Sequence, residues 1–250
     1  MKNPYLKNLN KIEFALTYAC TGKCKHCSVG THVNTHDMID SKTAAEAVYQ
    51  ISSVYDIKTV MVFGGEPLLH TGAVYEIMRV ARELDIPRRQ VITNGYFSTD
   101  AERLGEVAKM LADCGVNDLL LSVDAFHQET IPIDVVKSFA EKLLFFGVPV
   151  RLQPAWLVSA SDNNPYNRKT VEILDSFEDL KIPTGEGNVV FPEGNALKYL
   201  SDYFTDSLVE NPYTDDPCDV KCVSISPNGD VLGGNIYNKD IMRIIEDYIP

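Results

Sequence analysis

The spacing of apolar residues changes period along the first sixty positions of the chain. Apolar and polar residues alternate over residues 11–18, which predicts a strand with one buried face. After a polar loop and a capping residue at Asp40 or Ser41, apolar side chains recur every three or four positions, the stripe of an amphipathic helix. Residues 59–63 are largely apolar and β-branched and predict a second, more deeply buried strand.

The same alternation of strand and helix continues along the chain. Further strands are predicted at 90–93, 119–123, 148–152 and 188–191, and further helices at 72–84, 101–114, 134–147 and 170–177. Strands that alternate with helices form right-handed crossovers, which require a parallel sheet covered by helices. Six such units are predicted, and their period fits either a doubly wound sheet or an incomplete barrel.

The pattern changes after Leu200. Residues 211–222 are polar and contain proline, and residues 223–237 predict two short strands around a turn at 227–230. We therefore predict an α/β core over residues 1–200. A C-terminal extension over residues 201–250, carrying the hairpin, is expected to pack on that core.

Charge and composition exclude several classes of function. The 250 residues include 23 basic and 35 acidic side chains, a formal net charge of -12, which repels the phosphates of nucleic acids and anionic lipids. No run approaches the roughly 20 apolar residues that a membrane-spanning helix needs, and no signal sequence is present at the start. We expect a cytoplasmic protein that binds neither nucleic acid nor a membrane.

Three of the six cysteines follow the first predicted strand, at the edge where parallel α/β folds bind ligands. Cys20, Cys24 and Cys27 have the spacing C-x3-C-x2-C, and three thiolates suit a four-iron cluster with one iron free of protein ligands. The alternative is a zinc site formed by Cys24, Cys27, His32 and His36, which would leave Cys20 without a role.

Two further motifs accompany the cysteines. Residues 64–67 (Gly-Gly-Glu-Pro) end the second strand and residues 122–124 (Ser-Val-Asp) end the fourth. With the cysteine spacing, they resemble the radical S-adenosylmethionine (radical SAM) superfamily over roughly residues 10–195. The resemblance implies a (β/α)6 partial TIM barrel, a [4Fe-4S] cluster held by the three cysteines, and S-adenosylmethionine as the second cofactor. It also implies an electron donor, a reductase of the flavodoxin or ferredoxin type.

The resemblance implies a set of cofactor-binding residues at the strand ends. They are Gly64, Gly65, Glu66, Asn94, Ser122, Asp124 and Arg151. Glu66 is expected to face the methionyl ammonium, Arg151 the carboxylate, and the polar residues after the third and fourth strands the ribose or carboxylate. Alternatives stay open: an ordinary strand-to-helix turn at 64–67, a helix cap at Ser122 and Asp124, and a salt bridge at the edge of the core for Arg151.

Two histidines are assigned from their positions beside these motifs. His26 stands where the family often carries an aromatic residue against adenine. His127 follows the fourth strand and is predicted as the catalytic residue that faces the substrate, because histidine exchanges protons near neutral pH. A helix cap or a solvent-exposed imidazole is the alternative for His127.

The hairpin and Cys218 and Cys222 resemble the start of the auxiliary-cluster (SPASM or twitch) extension that many peptide-modifying members carry. Two thiolates are too few for an ordinary cluster, unless Cys114, Asp219 or the substrate completes the ligand set. We therefore expect a degenerate extension that closes the barrel, with no auxiliary Fe-S cluster, and a core position for Cys114.

These assignments predict a radical SAM enzyme that modifies a peptide or protein side chain. The alternatives are an activase that installs a glycyl radical in a partner enzyme and a radical enzyme with a small-molecule substrate. From a different class, a non-catalytic Fe-S or zinc-binding protein would carry the cysteines without turnover. The glycine and serine motifs argue against that last alternative.

Overall fold

The computed structural model describes residues 2–30, 37–204 and 211–250. Its strands are β1 (Lys11–Ala15), β2 (Thr59–Phe63), β3 (Arg88–Thr93), β4 (Asp118–Ser122), β5 (Val150–Gln153), β6 (Ala155–Trp156), β7 (Asn188–Val189), β8 (Cys222–Ile225), β9 (Asp230–Val231) and β10 (Gly234–Asn235). Its helices are α1 (Ser41–Ser52), α2 (Thr71–Glu83), α3 (Ala101–Asp113), α4 (Ala125–Gln128), α5 (Ile133–Phe145), α6 (Pro165–Asp175), α7 (Gly194–Tyr199) and α8 (Ile241–Asp247).

A six-stranded, wholly parallel sheet forms the centre of the fold, in the order β5-β4-β3-β2-β1-β8. The first five predicted strands are confirmed within a few residues, as are the helices between them. The α/β class is confirmed, and the sheet is consistent with the partial barrel that the resemblance implies.

The sixth strand is not the one that the sequence predicts. Of residues 188–191, only Asn188–Val189 form a strand, and it pairs with β6 outside the main sheet. The sixth position belongs to β8, which lies parallel to β1 with Cys222 opposite Lys11. β8 takes this position in the main sheet because its Val223 and Ile225 side chains are fully buried. The local pattern could not show this partner, which lies near the other end of the chain.

The predicted hairpin is also displaced. β9 and β10 form the antiparallel pair around a turn at residues 232–233. The predicted turn at 227–230 is also present, with the Gly229 N–H donating to the Ser226 carbonyl at 3.0 Å, but it leads from β8 of the main sheet into β9. The extension predicted over residues 201–250 therefore contributes one strand to the main sheet as well as a small hairpin. The division into two domains stays a prediction.

Local sequence explains where the helices begin and end. The Asp40 side chain accepts a hydrogen bond from the Thr43 N–H at 2.8 Å and caps α1, as expected. Gly115 has φ +87° just after α3, the left-handed conformation that commonly ends a helix. No described helix combines the length and apolar character that crossing a bilayer requires.

The two faces of β1 show how the sheet encloses a cavity. Ile12 and Phe14 are fully buried in the hydrophobic core. Lys11 and Glu13 alternate with them and line a cavity on the other face of the sheet. The inner face thus carries polar residues in positions where a closed barrel would have packed apolar ones.

Candidate active site

One cavity of about 710 Å³ connects both ends of the parallel strands. Cys20, Cys24 and Cys27 line it just beyond the carboxyl end of β1, and we call this region the cysteine end. Lys11 and Cys222, the first residues of β1 and β8, line it toward the opposite end together with Glu13 of β1, and we call these three residues the floor. The predicted cluster ligands therefore share one cavity with Lys11 and Glu13, which the sequence did not single out.

The cysteine loop brings its three thiols to this cavity. Cys24 is buried, whereas Cys20 and Cys27 are half-buried. Asn94 and Gly22 contact the Cys20 sulfur, with Nδ2 and the backbone nitrogen at 3.5 Å and 3.4 Å. A Cβ on Gly22 would lie 3.2 Å from the Cys24 sulfur, so a glycine here leaves room for that side chain.

The chemistry of these donors fits an iron-sulfur cluster. Burial raises the pKa of Cys20 to about 11 and raises the pKa of Cys24 above its usual range. Such thiols keep their protons at neutral pH until a cation replaces them, and three soft sulfur donors around one cavity suit iron. Cys20, Cys24 and Cys27 are therefore the residues that would hold the cluster.

Histidines lie close to the same thiols. The possible ligand atoms of Cys24, His26 and His127 all lie within 4.8 Å of one another. The other predicted zinc ligands, His32 and His36, lie outside the described residues. The His26 ring lies 4.9 Å from Phe126 and 4.8 Å from His127, measured between ring centroids. His26 is thus part of an aromatic group at the cysteine end.

The cysteine loop is supported by a segment that sequence reasoning missed. The Asn195 backbone N–H donates to the Cys27 carbonyl at 2.8 Å, and its side-chain amide donates to the Cys24 carbonyl at 3.1 Å. A Cβ on Gly194 would lie 2.2 Å from the Ser28 carbonyl oxygen. The start of α7 therefore packs directly on the loop, a contact between distant parts of the chain that no local motif announces.

Gly64 and Gly65 allow β2 to contact the chain that leads to the cysteines. The Gly65 N–H donates to the Thr17 carbonyl at 2.7 Å, and a Cβ on Gly65 would lie only 2.1 Å from the Ala19 oxygen. Gly64 has φ +141°, which favours glycine. Both glycines also line the cavity. The close packing of β2 against the chain before the cysteines is enough to require both glycines. The predicted approach of their backbone to a cofactor stays a prediction.

Glu66 joins the ends of β2 and β3. Its fully buried carboxylate accepts hydrogen bonds from Leu68 N–H at 2.9 Å, Thr93 Oγ1 at 2.7 Å and Asn94 N–H at 2.8 Å. Burial raises the pKa of Glu66 to about 7 against the opposing effect of these donors. Glu66 is not among the described residues that line the cavity, and its predicted contact with the methionyl ammonium stays a prediction.

Asn94 and Ser122 do line the cavity, at the carboxyl ends of β3 and β4. The Asn94 side-chain oxygen accepts from the Tyr96 N–H at 2.8 Å, which fixes the orientation of the amide. Ser122 is 8 % exposed. Both positions agree with the predicted proximity to the cysteines.

Asp124 is the N-cap of α4, the alternative that the sequence left open. Its Oδ1 accepts from the N–H groups of Phe126 at 2.9 Å and His127 at 3.0 Å. Its Oδ2 accepts from the Ala155 N–H at 3.0 Å and lies 2.8 Å from His127 Nδ1. Both oxygens of this fully buried carboxylate are therefore committed to the protein, and its predicted contact with a cofactor stays a prediction.

The Asp124 carboxylate also orients the predicted catalytic residue. His127 lines the cavity, and engagement of Nδ1 leaves Nε2 as the other ring nitrogen. Burial alone would raise the pKa of Asp124, but the charge and hydrogen bond of His127 outweigh it and lower that pKa to about 2. Burial lowers the pKa of His127, and the Asp124 carboxylate outweighs this effect and raises it.

Arg151 forms the salt bridge that was its alternative assignment. Its Nη2 lies 2.8 Å from Asp118 Oδ1, and the Asp118 carboxylate also accepts from Arg88 and Gln90. Asp118 is the first residue of β4, so the pair lies at the opposite end of the strands from the cysteine loop. A role for Arg151 toward the cofactor carboxylate stays a prediction.

The remaining cysteines occupy different surroundings. Cys114 is buried at the end of α3, with its sulfur 3.4 Å from the Leu111 carbonyl oxygen. Cys218 is exposed, whereas Cys222 lines the floor. The absence of an auxiliary cluster at Cys218 and Cys222 stays a prediction.

Comparison with known proteins identifies the family. Residues 14–144 match the family model of the Radical SAM superfamily. A probable GTP 3',8-cyclase of Sulfolobus acidocaldarius is 32 % identical over 145 residues, which cover 56 % of this chain and 44 % of that protein. A GTP 3',8-cyclase of Alkaliphilus metalliredigens is 22 % identical over 264 aligned positions, covering 100 % of this chain and 68 % of that protein. The chain thus spans about half to two thirds of the length of these relatives.

Solved structures show the same fold. SuiB of Streptococcus suis bound to S-adenosylmethionine has a TM-score of 0.62 at 14 % identity, covering 96 % of this chain and 66 % of SuiB. The AdoMet-bound anSMEcpe has a TM-score of 0.62 at 15 % identity, covering 95 % of this chain and 80 % of that one. Because the family model covers just over half of the chain, the protein belongs to the radical SAM superfamily of enzymes, whose members bind a [4Fe-4S] cluster and S-adenosylmethionine.

Proposed function

We propose that this protein cleaves S-adenosylmethionine reductively and takes a hydrogen atom from a polar substrate of low net charge in the same cavity. The observation that carries the proposal is that the three cysteines open onto a cavity that continues along the inner face of the sheet to the floor. A cluster and S-adenosylmethionine at the cysteine end would supply a 5'-deoxyadenosyl radical, which abstracts hydrogen from unactivated carbon.

The protein's own contribution is to hold the cysteine loop still and to keep water from the reacting atoms. The loop is braced from β2 through Gly65 and from α7 through Asn195. Fixed positions matter because a hydrogen transfer requires its two heavy atoms to be in near contact. A bound substrate that fills the cavity would limit side reactions of a radical with solvent.

His127 is the residue that we assign to the substrate. Asp124 holds Nδ1, so the imidazole has a fixed orientation and exchanges hydrogen bonds with a ligand through Nε2. A substrate group that gains or loses a proton during the radical reaction would meet this nitrogen. Asp124 acts through His127 and is a positioning residue.

The charges of the cavity favour a substrate of low net charge. Among its described lining residues are two lysines, Lys11 and Lys221, and three carboxylates, Glu13, Asp124 and Asp215, with no arginine. Phosphate groups are usually held by arginine or lysine side chains without paired acids. A peptide or protein side chain, which the resemblance of the hairpin implies, meets this charge requirement, and so does a small polar molecule.

GTP is the second candidate substrate, and a different observation favours it. Two curated relatives are named GTP 3',8-cyclase, and one of them aligns with the whole chain. A triphosphate would have to be bound with the two lysines above, of which Lys11 is already paired with Glu13 at 2.7 Å.

Anaerobic turnover tests the proposal. Protein reconstituted with iron and sulfide, reduced with dithionite and supplied with S-adenosylmethionine should form 5'-deoxyadenosine, detected by mass spectrometry. Cys20→Ala should form none. A fully loaded and reduced wild-type protein that forms no 5'-deoxyadenosine would contradict the proposal. Addition of GTP decides the second candidate, because a cyclised nucleotide product would establish it.

A further inference from the structure

We propose that the floor of the cavity binds the zwitterionic head of a free α-amino acid, with Glu13 receiving the ammonium and Lys11 the carboxylate. The inference rests on the proposed function, because it assigns a substrate class to the same cavity. It concerns residues that belong to no motif and that lie at the opposite end of the strands from the cysteines.

The location of the Lys11–Glu13 pair points to a ligand. Both side chains project from β1 into the cavity and are 31 % and 18 % exposed, while Ile12 and Phe14, which alternate with them, are fully buried. Charged side chains that are partly withdrawn from water lose hydration energy, which their mutual attraction offsets only in part. A lysine and a glutamate on this inner face are therefore better explained by binding than by stability.

The geometry of the pair matches an amino acid. Lys11 Nζ lies 2.7 Å from Glu13 Oε2, so one cation and one anion are presented side by side. An α-amino acid carries its ammonium and carboxylate side by side on one carbon. It can therefore place its ammonium against Glu13 and its carboxylate against Lys11. Head-to-tail pairing would satisfy all four charges and leave the net charge of the cavity unchanged. A ligand with a single charge would satisfy only one of the two residues.

The neighbouring groups are committed elsewhere. The Asp215 carboxylate accepts the backbone N–H groups of Lys221 and Cys222 at 2.9 Å and 2.8 Å. Lys221 lies 3.7 Å from Asp219. Burial, together with the Glu13 carboxylate, raises the pKa of Cys222 above its usual range, so this thiol stays neutral beside the pair. Lys11 and Glu13 are paired with each other at 2.7 Å, and a ligand that carries both charges would meet this pair without leaving either side chain unpaired.

The wall above the floor selects the rest of the molecule. Met61 of β2 lies opposite Glu13, and Ile92 of β3 and Leu120 of β4 line the cavity one inward position further toward the carboxyl ends of the strands. An amino acid held at the floor would direct its side chain along this apolar wall toward the cysteine end, over strands that rise about 3.3 Å per residue. The structure thus favours an amino acid with an extended, largely aliphatic side chain that reacts away from its α-carbon.

Three small probes test the charge requirement. Norleucine carries both charges on a four-carbon side chain, pentylamine lacks its carboxylate, and hexanoate lacks its ammonium. Each is titrated calorimetrically into reconstituted protein saturated with S-adenosylmethionine and given no reductant, so that binding is measured without turnover. Norleucine should bind at least about tenfold more tightly than either single-charge probe, the effect of one hydrogen bond to a charged group.

Two variants should change the preference in opposite directions. Lys11→Met leaves Glu13 without a cation and should favour pentylamine over norleucine, whereas Glu13→Gln should favour hexanoate. A purely structural role for the pair would not create this exchange of specificity. Lys58→Met removes a lysine from an exposed pair with Asp56 outside the cavity and should bind all three probes like the wild type.

The outcomes separate this inference from the proposed function. Equal binding of norleucine and the single-charge probes, or no binding of any, would overturn the amino-acid assignment. Equal or tighter binding of N-acetyl-norleucine amide would also overturn it and would favour a residue within a peptide. Formation of 5'-deoxyadenosine by the same wild-type preparation shows independently whether the proposed radical chemistry holds.

Discussion

The two ends of the cavity are built on different principles. At the cysteine end, most of the important side chains lie in short loops after strands, and backbone contacts with almost no free space hold those loops together. At the floor, the important residues are ordinary positions within β1 and β8, and their neighbours are set by strand pairing. A loop that must hold a metal cluster needs special residues at fixed spacing, whereas a strand can present a binding group from almost any inward position.

The largest effect is expected where the cluster is held. Cys20→Ala removes one of the three predicted thiolate ligands, so reconstituted protein should lose most of its iron. Iron and sulfide analysis measures this directly. Cys114→Ala is the matched control. Because Cys114 is buried in the core, this variant should keep its full iron content. Full iron content in Cys20→Ala, with metal binding retained through histidines instead, would favour the zinc alternative.

A smaller but severe effect is expected from backbone crowding beside the same loop. Gly65→Ala would place a Cβ 2.1 Å from the Ala19 oxygen and should destabilise the fold by about 3 kcal/mol or more, measured by denaturant unfolding. Gly72→Ala lies in α2 with no atom within 4 Å of the new Cβ, and it should stabilise by up to about 1 kcal/mol. Equal effects of the two substitutions would show that the contact between β2 and the loop is not tight.

The contribution of α7 should be intermediate. Asn195→Ala removes a side-chain hydrogen bond to the Cys24 carbonyl and should cost about 1 kcal/mol of stability. A looser cysteine loop should also release iron to a chelator several-fold faster than the wild type. Asn8→Ala, which removes an exposed hydrogen bond to Asp219, is the control and should release iron at the wild-type rate. An unchanged rate of iron release in Asn195→Ala would show that α7 does not stabilise the cysteine loop.

The smallest effect is expected at the amino-terminal ends of the strands, and it depends on pH. Burial opposes ionisation of Asp118, but Arg151, Gln90 and Arg88 outweigh it and hold the pKa of Asp118 below its usual range. A carboxyl group whose pKa is lower in the folded than in the unfolded protein stabilises the fold at pH values above its pKa in the unfolded chain. This stabilisation is lost as the pH falls through its pKa in the folded protein.

Asp118→Asn should therefore be less stable than the wild type by about 1 kcal/mol at pH 7, and the difference should shrink below pH 4. Denaturant unfolding at both pH values measures it. A difference that persists undiminished in acid would mean that the charge of Asp118 is not what stabilises this part of the sheet.

The sequence predicted the residues at the cysteine end because the motifs that identify them are short and local. The spacing of Cys20, Cys24 and Cys27 and the glycines at 64 and 65 are visible within a few residues, and the structure brings them to one cavity. Asn94 and Ser122, assigned through the resemblance as polar residues after strands, line the same cavity. The five central strands followed from hydrophobic period, because each is buried against helices that are its neighbours in the chain.

The missed features depend on partners that are distant in the sequence. β8 looked like half of a hairpin because the Pro-Asn-Gly-Asp turn follows it, and nothing near Cys222 indicates pairing with Lys11. Asn195 gave no signal for the same reason. Arg151 and Asp124 were assigned to a cofactor through the resemblance, and those contacts stay predictions, but their protein partners Asp118 and His127 became visible only in the structure. The interactions of a charged side chain depend on its neighbours in three dimensions, which its position in the sequence does not show.

The pairing of β1 with β8 also bears on how the protein is made. Strand β1 is translated well before β8, so the edge of β1 that pairs with β8 has no partner until the chain has been extended past Ile225. Contacts between such distant residues slow folding, and an exposed strand edge invites association between chains. The nascent protein therefore passes through a stage with the cysteine motif already translated and the last strand still missing, when protection from aggregation and from premature metal binding matters most.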